Sequence, residues 1–376
     1  MKKVIVLGSG MVGSAMAIDL SNNYRVTVCD IDQAKLNKYN SANITTFVAD
    51  LSRLELIPEL VADYDLVVNA VPGFMGYRVT KSVVEAGKDI VDISFFPEDS
   101  LQLKELAIDK DVTAVVDCGV APGMCNIFLG YHYKRMKVES YLCYVGGLPF
   151  VRKYPFQYKA PFSPIDVIEE YTRTARYVEN GKIIAKEPLS DSEFLFFNDI
   201  GTLEAFNTDG LRSLMFTLDI PNMKEKTLRF PGHIDLIKAL KSGGFFDNKE
   251  IQINGSNIKP IDFTNKILFK EWFLEPDEKE FTVMRVIIEG EEDGKKVKYT
   301  FDLFDIYDDE TQTSSMARTT GYTATAVASL ILEGNFTEKG LFPPEYLGFD
   351  SNVFKGIIKY LEDRNVIYKE TKISAQ

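Results

Sequence analysis

The chain has 376 residues, 45% apolar and 26% charged, with a formal net charge of −12. That length divides into two domains more readily than one, each able to bury a sizeable core. The acidic balance argues against nucleic-acid or anionic-membrane partners, which require a basic patch, yet leaves room for an anionic ligand held by a few local groups.

The N-terminal run MKKVIVLGSGMVGSAMA imitates a signal peptide, with two lysines, an apolar stretch and small residues. Three glycines interrupt it and it leads directly into another strand pattern, so it reads as folded chain. No apolar stretch approaches the roughly 20 residues of a membrane span. Cys29, Cys118, Cys125 and Cys143 form no C-x-x-C pair, and with only two histidines there is no zinc spacing. The expectation is reduced thiols, no metal and a cytoplasmic location.

From residue 3 to about 136, strand and helix patterns alternate. Apolar runs stand at Val4–Leu7, Val26–Cys29, Thr46–Val48, Leu66–Val71, Ile90–Ile93 and Ala114–Val116. Helical spacing separates them, as at Met11–Leu20 and Tyr77–Ala86. Short apolar strands divided by helices predict a doubly wound parallel α/β sheet.

The first turn reads Gly8-Ser9-Gly10-Met11-Val12-Gly13, between a strand and a helix, and Asp30 follows 17 residues after Gly13. In this context the glycines serve a tight turn, close approach to a pyrophosphate and helix–strand packing. The phosphates meet free N–H groups at the positive helix end. Asp30 suits the adenosine ribose hydroxyls and repels a 2′-phosphate, and Ile31 and Asp32 supply no arginine. NAD is therefore the expected cofactor; the alternative is a buried turn without ligand. Further strand ends at Asn69-Ala70-Val71-Pro72, Ser94 and Asp117 point to the same crevice, although each is also an ordinary polar strand terminus.

Beyond Val138 the texture changes. VESYLCYVGGLP reads as a strand, and two long strands flank Asp293-Gly294, a hairpin signal. Together they predict an α+β domain on a mainly antiparallel sheet. SSMARTTGYTATAVASLIL predicts a closely packed helix that returns to the first domain. EGEEDGKK reads as a solvated turn.

The runs VVDCGVAPGMCNIFLG, EAFNTDGLRSL, KTLRFPGH, SMARTTGY and EKGLFPPEYLG together resemble the saccharopine dehydrogenase superfamily, and within it the lysine 6-dehydrogenases. The resemblance implies a split Rossmann domain (1–125, completed by about 316–348). It also implies an inserted domain for substrate and dimerisation (126–315), with 349–376 left as a C-terminal helical segment. The implied activity is NAD-dependent oxidative deamination of the L-lysine 6-amino group to 2-aminoadipate 6-semialdehyde and ammonia, by a homodimer. Saccharopine dehydrogenase is the rival within the family. A non-catalytic NAD-binding sensor is the rival outside it.

Hydride can leave a carbon bearing nitrogen only when the amine is neutral, and a lysine amine titrates near about 10.4. The site needs a base, a carboxylate and an arginine for the substrate α-carboxylate. Arg176, Arg212 and Arg229 are the candidate clamps. Arg212 leads, because one helical turn from Asp209 would place both on one face to hold a zwitterion; Thr208 or Asp209 capping a helix at Gly210 is the alternative. Asp117 is the carboxylate expected nearest the amine. His233, just past Pro231-Gly232, sits where a helix N-terminus keeps an imidazole neutral and able to accept a proton; packing is the plain alternative. His132 is read as structural.

Overall fold

The computed structural model describes residues 1–275 and 278–374. Seven parallel strands form the first sheet, in the order Gly340–Phe342, Thr113–Val115, Ile90–Asp92, Leu66–Asn69, Lys3–Leu7, Arg25–Asp30, Ile44–Val48. Val4 to Leu7 are all fully buried, as expected of a strand covered on both faces. Strand order reverses beside Lys3–Leu7, so the crevice opens above the carboxyl ends of that strand and Leu66–Asn69.

The second sheet has nine strands. Its main path runs Glu193–Phe197, Gly201–Asn207, Asn222–Arg229, Lys137–Pro149, Glu280–Glu292, Lys295–Ile306, Tyr368–Ser374. It is antiparallel except where Asn222–Arg229 runs parallel to Lys137–Pro149, with Glu225 beside Cys143 and Thr227 beside Val145. The expected hairpin forms at Asp293 and Gly294, which both take positive φ (51° and 76°), as a two-residue turn of matching twist requires.

Helix Ser315–Leu332 returns to the parallel sheet and packs on Met11–Ser21. Ser314 Oγ caps it by accepting from the Ala317 N–H at 3.3 Å. Thr325 Oγ1 donates to Asp19 Oδ2 at 2.5 Å, and Arg364 and Tyr360 bind the same carboxylate. The strand Gly340–Phe342 then completes the sheet.

The C-terminal segment departs from the expected all-helical form. Helix Ser351–Glu362 is followed by strand Tyr368–Ser374, which pairs with Val297–Leu303. Its alternation is of mostly exposed polar residues, so no buried face marks it in the sequence; the open edge of the second sheet specifies it. Among the described residues no helix is long and apolar enough to cross a membrane.

Candidate active site between the two sheets

A cavity of about 770 Å³ begins at the glycine turn and ends among side chains of the second sheet. At its first end Gly8 holds φ +105°, and a Cβ there would lie 2.6 Å from the Ala70 carbonyl oxygen. A Cβ on Gly13 would lie 2.2 Å from the Gly8 oxygen. One on Gly10 meets nothing within 4 Å, so open space fronts the helix N-terminus where a pyrophosphate would lie. Asp30 is fixed by the Ser9 N–H (2.7 Å) and the Asp32 N–H (2.9 Å) and lines the cavity. These residues fit a pyridine dinucleotide.

Gly8, Gly10, Met11, Val12, Gly13, Asp30, Ala70, Val71, Pro72 and Ser94 all line this cavity. Two expected contacts do not. Ser9 turns its hydroxyl to Tyr39 (2.8 Å) and acts through its backbone on Asp30. Asn69 is buried, donating to Thr80 and Asp92 at 3.1 and 2.8 Å. Burial pushes the Asp92 carboxyl up to about 7, against the hydrogen bond from Ser94 and with the charge of Asp117. Lys35, Asp50 and Ser52 join the adenosine end without having been anticipated.

The arginines are placed differently from expectation. No helix joins Asp209 to Arg212: the helix there is Leu214–Thr217, and Arg212 has φ 52°. Arg212 Nε and Nη2 instead donate to Asp117 (3.3 and 3.1 Å), and Nη1 donates to the Phe96 carbonyl. Asp209 accepts two bonds of 2.8 Å from Arg176. Thr208 caps no helix; its hydroxyl donates to Glu225. Arg229 lines the cavity, but its guanidinium is engaged by Glu170 at 2.6 Å, the Tyr171 and Tyr158 hydroxyls, and the Leu228 carbonyl. The expected zwitterion clamp of Arg212 with Asp209 is thus two separate internal pairs.

His233 opens helix His233–Ser242, yet it stands outside the cavity wall. Its Nδ1 lies 2.8 Å from the Phe156 carbonyl and so carries the proton; its Nε2 lies 2.9 Å from the Tyr171 hydroxyl and accepts from it. The ring is neutral, as expected, but chiefly for a different reason. Burial, and then Arg229, push it down to about 3. With both nitrogens taken, the geometry gives it a packing place rather than the proton-transfer place expected. His132 is buried with neither ring nitrogen bonded, tilted against Tyr299 at 4.0 Å.

Asp117 does face the cavity, from a strained φ of 53° at the end of strand Thr113–Val115. Opposite it lie groups not anticipated from sequence: Asp166, Glu169, Glu170, Arg173, Glu225 and Thr227. Arg173 Nη2 donates to Glu169 at 3.2 Å and the guanidinium lies 5.0 Å over the Phe95 ring, but Nη1 is buried without a partner. The signal for Glu225, Thr227 and Arg229 was present as polar residues at alternate positions of one strand. Nothing local distinguished Arg173 from Arg176. Among the described residues no cluster of three or more His, Cys, Asp or Glu is placed to hold a metal ion.

The family model described as saccharopine dehydrogenase NADP binding domain matches residues 4–115, and that described as saccharopine dehydrogenase C-terminal domain matches residues 119–367. The mitochondrial alpha-aminoadipic semialdehyde synthase of Mus musculus is 23% identical over 447 residues, covering 98% of this chain. The chain spans only 47% of that relative's length. The carboxyaminopropylagmatine dehydrogenase of Synechocystis sp. is 24% identical over 384 residues, covering 93% of this chain and 94% of its own. An apo saccharopine dehydrogenase (L-Glu forming) from Saccharomyces cerevisiae shares the fold, with a TM-score of 0.80 at 21% identity over 99% of this chain and all of that one. With both family models matched in sequence order over nearly the whole fold, this chain belongs to the saccharopine dehydrogenase family.

Proposed function

We propose that this chain is a pyridine-nucleotide oxidoreductase acting on a carbon–nitrogen bond of an amino acid, with L-lysine as substrate and NAD as acceptor. The product would be 2-aminoadipate 6-semialdehyde, which cyclises to piperideine-6-carboxylate, with release of ammonia. The observation that carries the reading is the continuity of one cavity from Asp30 to the unpartnered Arg173 Nη1. A bound nicotinamide supplies the hydride acceptor. Arg173 pairs with Glu169 through Nη2 but keeps a buried donor, Nη1, for a carboxylate, whereas Arg212 and Arg229 are engaged by the protein on every side and Arg176 is taken in a two-bond pair with Asp209. Asp117 is the carboxylate we place nearest the reacting amine, oriented by Arg212.

A second reading, saccharopine as substrate, is favoured by relatives such as the saccharopine dehydrogenase (NADP(+), L-glutamate-forming) of Saccharomyces cerevisiae, 26% identical over 273 residues. Charge favours lysine. The chamber beyond the nicotinamide end carries six carboxylates, of which Asp117, Asp209, Glu170 and Glu169 are paired with Arg212, Arg176, Arg229 and Arg173, and among the described residues Asp166 and Glu225 have no ion-pair partner. Lysine is a net cation, whereas saccharopine carries three carboxylates, and an acidic chamber disfavours it. Incubation with NAD or NADP and each amino acid at alkaline pH, followed by reduced-nicotinamide absorbance, decides the matter. Turnover of saccharopine alone would overturn the lysine assignment.

For the cofactor, Asp30→Ala should weaken NAD and narrow its advantage over NADP, because the carboxylate that meets the ribose hydroxyls and repels a 2′-phosphate is gone. A wild-type preference for NADP, measured by fluorescence titration of both reduced dinucleotides, would defeat this part. A homodimer belongs to the same proposal. Exposed Phe194 and Phe196 on the edge strand Glu193–Phe197 support it, and light scattering tests it.

A further inference from the structure

We propose that Glu225 is the seat of the substrate's α-ammonium, the cationic group that does not react. The proposal rests on the amino-acid oxidoreductase reading above and assigns one end of that substrate to one residue.

Alternation along strand Asn222–Arg229 turns Glu225, Thr227 and Arg229 to the cavity. Glu225 is only 7% exposed, and its Oε2 accepts from the Thr208 hydroxyl at 2.6 Å. Thr208 Oγ1 is in turn 3.0 Å from Thr227 Oγ1. Four other carboxylates of the chamber are each joined to an arginine: Asp117 to Arg212, Asp209 to Arg176, Glu170 to Arg229, Glu169 to Arg173. Asp166 has Arg173 nearby and a hydrogen bond from Ser163. Among the described residues no cationic nitrogen forms an ion pair with Glu225.

The surroundings sharpen this isolation. The charged groups acting on Glu225 are Glu170 and Asp209, both already paired. Across the adjoining strand Lys137–Pro149 stand Tyr141 and Cys143, buried and held neutral by burial. On its own strand, Arg229 is turned to Glu170 and the tyrosines. The backbone makes room for the carboxylate as well. A Cβ on Gly210 would lie 2.1 Å from Glu225 Oε2, so the residue lying over it has no side chain. Burial pushes the Glu225 carboxyl up to about 7, against the Thr208 hydrogen bond and with Glu170 and Asp209 adding to the rise.

A buried carboxylate without a counter-cation is unfavourable, and an incoming ammonium relieves it. The reacting amine must lose its proton, so the ammonium that can remain on Glu225 is the α one. Arg173 Nη1, unpartnered in the same cavity, is left for the α-carboxylate. The two together read a zwitterionic head and leave the alkylamine free to reach the nicotinamide end.

The test is calorimetric binding of L-lysine and of 6-aminohexanoate to the protein loaded with reduced dinucleotide, which cannot accept hydride. 6-Aminohexanoate keeps the reactive amine and the carboxylate but lacks the α-ammonium. Glu225→Gln should weaken lysine about 30-fold or more while changing 6-aminohexanoate less than about twofold. Wild-type lysine affinity should also fall as pH drops below about 7, and the variant should lack that step. Equal loss for both ligands, no loss for either, or lysine that binds neither protein overturns the assignment. Should Glu225→Gln not fold, Thr208→Val carries the test: losing the bond that favours the ionised carboxylate moves the pH step upward, and an unmoved step overturns the assignment. Binding is read without turnover. If lysine binds through Glu225 but no amine is oxidised, the functional reading fails and this one stands.

Discussion

His233 illustrates how far the role of one side chain depends on its neighbours. A histidine after Pro-Gly at a helix start suits either proton transfer or packing, and only the positions of Phe156, Tyr171 and Arg229 separate the two. Asparagine in its place should leave kcat within about twofold but lower stability by about 2 kcal/mol, because two buried polar partners lose their bonds. The pH dependence has a definite sign. A ring whose folded pKa of about 3 lies below the unfolded value near 6.5 contributes stability that is full above about 6.5 and fades as pH falls toward 3. The stability gap between wild type and His233→Asn should therefore narrow on acidification, as seen in urea unfolding at pH 7 and pH 5. A gap that widens, or a turnover loss of about 100-fold with stability intact, would return His233 to catalysis.

Among whole elements, helix Met124–Tyr133 and helix Pro344–Phe349 approach so closely that their glycines are obligatory. A Cβ on Gly130 would fall 1.9 Å from the Glu345 carbonyl oxygen, and one on Gly348 would fall 2.2 Å from that of Ile127. The contact also holds the buried Glu345, which accepts from Asn126 at 3.1 Å and from Thr217 of helix Leu214–Thr217 at 2.6 Å. Gly130→Val should cost about 3 kcal/mol, since neither backbone can retreat. Gly130 does not line the cavity, so dinucleotide affinity measured well below the melting temperature should be unchanged. A wild-type melting curve would show that the helices separate more easily than this packing implies.

Across the whole molecule, the C-terminal strand Tyr368–Ser374 links distant parts of the chain. It pairs along Val297–Leu303, and Tyr368 packs edge-on to Phe128 of helix Met124–Tyr133 at 5.1 Å. Ending the chain after Val366 should remove the ladder and the ring contact together and open a long sheet edge. The expected result is a loss of about 3 kcal/mol or more in denaturant unfolding, with growing light scattering at high concentration. Unchanged unfolding would make the strand an ornament of the sheet rather than part of its stability.

Much of the architecture was determined by the sequence alone, because it depends on near neighbours. Apolar runs such as Val4–Leu7 and Leu66–Val68 announce buried parallel strands, Asp293-Gly294 announces its hairpin, and the spacing of Gly8, Gly10, Gly13 and Asp30 announces a dinucleotide turn. The strand at the C-terminus was not legible, since its polar alternation acquires meaning only beside an open sheet edge. The chamber was decided by tertiary structure for a related reason. A guanidinium is spent or spare according to which carboxylate lies within reach, and those partners stand 95 residues away for Arg212, 59 for Arg229 and 33 for Arg176. Local spacing carries no information about such pairs. Folding consumes those three arginines in internal ion pairs and, among the described residues, leaves Arg173 Nη1 without a partner and Glu225 without an ion pair.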